Sequence, residues 1–173
     1  MSYDLVVAID PGPSGAIAAM EPGIYTSCRV FDCPTFLIKK SGGRTARNVS
    51  DPAGMASLLK SLCEKYRQPI IVIELVHARE NDSKVSAFAF GENYGMWEGI
   101  IAALKLPIVR VSPAAWKRVM VKKTIAGLTS ADMKEESRKK CIELLPHLSE
   151  ELKYKKSHNR AEAALLALYA EWY

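Results

Sequence analysis

Nowhere among the 173 residues does an apolar run reach the roughly 18 positions needed to cross a bilayer, so no membrane span and no membrane partner are predicted. The opening Met1-Ser-Tyr-Asp4 lacks the basic start and long apolar stretch of a secretory leader. The expectation is a cytoplasmic or intracellular protein. Cysteine is scarce, with four residues and no C-x-x-C pair, which excludes a zinc knuckle and a disulfide framework. Cys28, Cys33, Cys63 and Cys141 read as reduced thiols, the first two as core residues beside a strand. No repeat, linker or composition shift divides the chain, so residues 1–173 read as one domain. Its 49% hydrophobic and 25% charged content is too apolar for disorder.

Charge is unevenly spread. Residues 1–104 carry 10 basic and 11 acidic side chains, whereas residues 105–173 carry 14 and 8. The second part therefore holds the excess behind the net charge of +5. Runs such as Trp116-Lys-Arg118, Lys122-Lys123, Arg138-Lys-Lys140 and Lys153-Tyr-Lys-Lys156 fit a phosphate-neutralising surface or a plain solvated face equally well.

The apolar run Leu5-Val-Val-Ala-Ile9 predicts a buried strand, turned by Asp10-Pro-Gly12 into a second strand at 15–20 and a third at 27–31, closed by Pro34. Ser41-Gly-Gly-Arg44 marks a loop. Asp51 and Pro52 open a helix to about residue 66. Ile70-Ile-Val-Ile73 reads as a strand buried on both faces, with Glu74 at its end. A polar stretch follows, then a helix over 85–104 in which Gly91, Gly95 and Gly99 recur every fourth residue, suited to sheet packing or to a dimer contact. Strand 108–111 and helices at 114–120, 130–145 and 159–173 complete an α/β pattern.

Three acidic residues stand out by position. Asp10 and Glu74 each end an apolar strand, where a lone carboxylate costs several kcal/mol of desolvation (~2 or more) unless compensated. Neighbouring strands would bring both to one sheet end, the usual ligand site of open α/β sheets. Glu162 is the single charge on a helix that otherwise looks core-facing, and His158 lies one turn before it. Such a set suits a hard divalent cation, Mg²⁺ or Mn²⁺.

Four blocks then carry a likeness: Val7-Ala-Ile-Asp-Pro-Gly-Pro-Ser-Gly-Ala16; Ile73-Glu-Leu-Val-His77; Gly91-Glu-Asn-Tyr-Gly-Met-Trp97 with Pro113-Ala-Ala-Trp-Lys117; and Lys155-Lys-Ser-His-Asn-Arg-Ala-Glu-Ala163. In this order they resemble the RuvC-like Holliday junction resolvases, especially the phage and plastid branch, within the ribonuclease H-like superfamily. The resemblance implies a central mixed five-stranded sheet flanked by helices, a homodimer, and paired nicking of four-way or other branched DNA with two Mg²⁺ (or Mn²⁺) ions per site. It also implies Asp10, Glu74, His158 and Glu162 as metal ligands and catalytic residues, and Lys117 as a lysine that approaches the scissile phosphate. Lys117, Arg118, Lys122, Lys123, Lys134, Arg138, Lys155, Lys156 and Arg160 would hold DNA arms. Arg79 and Phe88 would reach the junction centre, while core packing is the favoured role for Phe90. One departure accompanies the likeness. Ser157 stands where members usually carry an aspartate, which leaves an impaired, junction-binding protein of the same fold as the alternative. A sugar-kinase-like phosphate loop at Asp10-Pro-Gly12 is disfavoured, since such proteins need two domains.

Overall fold

The computed structural model describes residues 3–39, 46–76, 83–121 and 129–172. Strand β1 (Leu5–Asp10) runs into β2 (Ala16–Met20) and β3 (Arg29–Asp32), each antiparallel to the last. Strands β6 (Pro69–Glu74) and β7 (Ile108–Val111) extend the other side in parallel, so the sheet order is β3-β2-β1-β6-β7. Helix α1 (Pro52–Cys63) precedes β6, and α2 (Lys84–Ala103) links it to β7. Helices α3 (Pro113–Met120), α4 (Ser130–Leu144) and α5 (His158–Trp172) follow. This is the expected mixed five-stranded α/β arrangement.

The two-residue period of the strands sorts the core. Leu5, Val7, Ile9, Ile71 and Ile73 face α1 and α2, joined there by Trp97 and Ile101. Val6, Ala8, Ile70 and Val72 face the other way, toward α3, α4 and α5. By the same alternation Asp10 and Glu74 fall on the α5 side. Small residues let α5 approach closely, because Ala8, Ala16 and Ala18 of the sheet meet Ala161, Ala164 and Ala167 of the helix in one cluster. Every residue from 161 to 168 is buried, and each enclosed leucine there is worth about 1.5–3 kcal/mol.

Helix starts follow from their caps. The Asp51 carboxylate accepts from the Gly54 amide at 3.1 Å and Pro52 occupies the first turn. Ser112 and Pro113 repeat the device at α3. At α4, Thr129 and Asp132 form a reciprocal capping box.

Strand β3 ends at Asp32, just before Pro34, as expected. Beyond Pro34 the chain forms two strands that the sequence reading did not include, β4 (Thr35–Lys39) and β5 (Ala46–Ser50), an antiparallel two-stranded sheet of their own. Phe36, Leu37 and Ile38 are all exposed: a strand whose successive apolar residues all face solvent needs no apolar–polar alternation, so β4 lacks the usual strand pattern. Cys28 and Cys33 are free and buried, as anticipated, and so are Cys63 and Cys141. No helix among the described residues is long and apolar enough to cross a membrane.

Candidate active site

Strands β1 and β6 pair in parallel up to Ile9 opposite Ile73, so Asp10 and Glu74 are the next positions on adjacent strands. Asp10 also pairs with Ala16 across the turn. That turn is held by the Gly15 amide donating to the Gly12 carbonyl at 2.9 Å. Gly12 has φ +154°, and a Cβ on Gly15 would lie 2.0 Å from the Asp10 carbonyl oxygen. Glycine is therefore required at 15 for Asp10 to stand where it does.

Helix α5 brings Glu162 to the same side. Its carboxylate is 7% exposed; one oxygen accepts from Lys117 Nζ at 3.0 Å and the other from Ser137 Oγ at 3.2 Å. The Lys117 ammonium also lies 5.0 Å from the centre of the Trp116 ring. Trp116 is fully buried and its indole N–H donates to Glu74 Oε2 at 2.8 Å. Helix α3 thus serves two of the three acids through consecutive residues, a role that Trp116 did not disclose in sequence. Ser137, on α4, had no sequence signal at all.

Two of the acids act on the third. Burial, and then the charges of Glu74 and Glu162, hold the Asp10 carboxyl well above the ordinary carboxylate range, with Lys117 and Lys134 opposing. Beneath it, Cys33 Sγ contacts the Asp10 carbonyl at 3.7 Å; burial, and then the Asp10 charge, push this thiol up to about 12, so it is inert.

His158 begins α5, its Nδ1 3.1 Å from the Lys155 carbonyl oxygen. That contact satisfies Nδ1 and leaves Nε2 as the ring nitrogen for a ligand. Asn159 donates to the Ser14 carbonyl and Arg160 forks onto Asp32 through two 2.6 Å bonds. The first turn of α5 is thereby fastened to the turn that follows Asp10 and to the end of β3. Ser157 is buried just before it.

Among the described residues, no three His, Cys, Asp or Glu side chains are spaced to hold a metal ion as they stand. The chemistry of the donor set nonetheless fits one. Three carboxylates gathered at one sheet end, two of whose charges raise the pKa of the third, Asp10, are hard oxygen donors in need of positive charge, and an ammonium now supplies part of it.

The remaining predicted residues separate. Arg118, Lys134, Lys155 and Lys156 are exposed. Arg138 instead spends its guanidinium on Glu135 and the Leu152 carbonyl, and Arg160 is committed to Asp32. Phe88 is 73% exposed; Phe90, expected in the core, is 45% exposed. Arg79, Lys122 and Lys123 lie outside the described residues.

The mixed sheet in the order β3-β2-β1-β6-β7, flanked by helices, is an α/β fold of the ribonuclease H-like kind. The chain is similar in structure to Thermus thermophilus RuvC in complex with a Holliday junction substrate, with TM-score 0.58 and 16% identity over 96% of this chain and 92% of that one. A second Thermus thermophilus RuvC structure gives 0.52 and 16% over 97% and 94%. A Fowlpox virus resolvase in complex with Holliday junction DNA gives 0.46 and 14% over 97% of each chain. No protein-family profile and no curated protein matches the sequence.

Proposed function

We propose that this chain is a crossover junction endodeoxyribonuclease of the phage and plastid RuvC-like branch. It nicks four-way and other branched DNA by paired phosphodiester hydrolysis, with residues 1–173 acting as one nuclease domain. The observation that carries the reading is the meeting of Asp10, Glu74 and Glu162, from three elements, at one end of the sheet. The likeness in fold to a junction-bound RuvC supports the substrate class.

Asp10, Glu74 and Glu162, with His158 beside them, would hold Mg²⁺ or Mn²⁺, two ions per site. Such ions supply a lowered water pKa and Lewis-acid stabilisation of an oxygen leaving phosphorus. Trp116 fixes the rotamer of Glu74 through its indole N–H, and Ser137 fixes that of Glu162. Lys117 would offer its ammonium to the non-bridging phosphate oxygens. Arg118, Lys134, Lys155 and Lys156 present positive charge on the surface for the DNA arms.

A homodimer presents two such sites to the two equivalent strands of a junction. Exposed Val85 and Phe88, and a Gly91, Gly95 and Gly99 face where an added Cβ meets nothing within 4 Å, make α2 the surface for it.

A second reading, a junction binder that does not cut, is favoured by Ser157 in place of an acid and by the Lys117–Glu162 pair. Asp10→Asn separates the two. A nuclease loses metal-dependent nicking and keeps junction affinity, whereas a binder has no nicking to lose.

A further inference from the structure

Asp10, Ala16 and Asp32 stand in one row across β1, β2 and β3, each opposite the next in register. Directly opposed residues share a face of the sheet, and Ala16 lies in the cluster packed against α5, so the whole row points toward that helix. Neighbouring strands lie about 4.8 Å apart, which puts Asp32 roughly 10 Å along the row from Asp10. The small side chain of Ala16 between them leaves room for the helix.

Helix α5 meets this row at Arg160. Its Nε and one terminal nitrogen donate to the two carboxylate oxygens of Asp32, each at 2.6 Å, a two-pronged geometry that fixes orientation as well as distance. One residue earlier, Asn159 donates to the Ser14 carbonyl in the turn after Asp10. Arg160 sits midway between His158 and Glu162 in sequence, so these bonds set the height and rotation of the turn that carries both. A grip on DNA fits this arginine poorly. The cleft it lines holds Asp32, Glu150 and Glu151 against one other cation, Lys156, and Glu151 adds to the attraction on the guanidinium. Acids so placed repel a phosphate.

We infer that the Arg160–Asp32 fork positions α5 over this row, and that Arg160 thereby acts on the cation affinity of the acidic site instead of holding a DNA phosphate. Both members of the fork are positioning residues, working through His158 and Glu162. The inference rests on the metal-dependent reading of the site. Its prediction is the reverse of what charge alone would give. Arg160 is a positive group near a cation site, so by charge alone its loss would tighten cation binding. With the first turn of α5 released, its loss weakens binding, because fewer molecules hold the carboxylates together at any moment.

The test is calorimetric titration of Mn²⁺ into native protein, Arg160→Met, Asp32→Asn and the exchanged pair Asp32→Arg with Arg160→Asp. Junction affinity in EDTA and junction nicking in Mg²⁺ are measured alongside. Each single variant should weaken Mn²⁺ binding by about threefold or more, short of the roughly 10–100-fold lost with a group bonded to a metal ligand itself. The exchanged pair should recover most of that loss. The Asp32 side chain is 68% exposed, and an exposed pair adds little to the whole domain, so Tm in EDTA should fall by no more than about 2–4 °C. Junction affinity should stay near native in both single variants. Unchanged or tighter Mn²⁺ binding by Arg160→Met overturns the positioning role, as does a loss of junction affinity in that variant that Asp32→Asn does not share. The expected Mn²⁺ pattern in a protein that nicks no junction keeps the positioning role and overturns the nuclease reading. Native protein that binds no Mn²⁺ overturns both.

Discussion

Replacing Lys117 with methionine removes an ammonium 3.0 Å from the buried Glu162 carboxylate while keeping an unbranched side chain beside Trp116. Glu162 would then keep its Ser137 contact, but in company with Asp10 and Glu74. Removing one partner of a buried ion pair costs about 3–5 kcal/mol, because the other charge stays behind unpaired. The Lys117 side chain is 30% exposed, so water screens part of the interaction and about 2–3 kcal/mol is expected. In a domain of this size each kcal/mol is worth about 2–4 °C of Tm, so Lys117→Met should melt roughly 5–10 °C lower in EDTA. On a Glu162→Gln background the same change should cost almost nothing, since no charge is left stranded. Millimolar Mg²⁺ should narrow the gap, because a cation bound by the folded carboxylates replaces the missing ammonium. Thermal melts of the four proteins, with and without Mg²⁺, give the comparison. An unchanged Tm for Lys117→Met in EDTA would refute the claim that this lysine neutralises the acidic cluster.

Asp10 supplies a pH dependence. Its folded pKa lies above the ordinary value, so its contribution to stability is fully present below that value and is lost as pH rises through the folded pKa. Without metal, Asp10→Asn should therefore flatten the fall in stability toward neutral pH and raise Tm at pH 7, while abolishing nicking; a lower Tm there contradicts the assignment. Gly15→Ala drives a Cβ into the Asp10 carbonyl and should cost about 1–3 kcal/mol in urea unfolding through forced backbone movement, with loss of nicking out of proportion to the unfolding. Ser157→Asp should raise Mg²⁺-dependent nicking about tenfold or more, the scale on which groups that orient metal ligands act; no gain in single-turnover rate rejects a deficit at that position.

Much of the sheet could be read from the chain because its strands are either continuous β-branched runs or end in strong turn residues. Leu5 to Ile9 and Ile70 to Ile73 are buried on both faces, so each reads as a short continuous apolar run bounded by turn or polar residues. Asp10, Glu74 and Glu162 could be singled out because a carboxylate closing such a run is physically expensive. The β4–β5 ribbon escaped because Phe36, Leu37 and Ile38 are all exposed and nothing forces them to alternate with polar residues. Ser137 and Trp116 escaped for another reason. A serine within a charged helix and a tryptophan at a helix start look alike whether or not they touch a carboxylate, since only the packing of α3 against the end of β6 and of α4 against α5 sets those contacts. The same holds for Arg160: a basic residue in a basic stretch suggests DNA, yet its fork is matched to Asp32, which lies 128 positions away.

The most direct test of the central claim is strand cleavage of an end-labelled four-way junction beside a linear duplex of the same sequence, with Mg²⁺ or Mn²⁺ and with EDTA. Symmetric nicks confined to the junction, abolished by EDTA and by Asp10→Asn, are the predicted result. Junction binding with no cleavage in either metal would contradict it, and would leave the acidic sheet end of this fold as a DNA-binding feature alone.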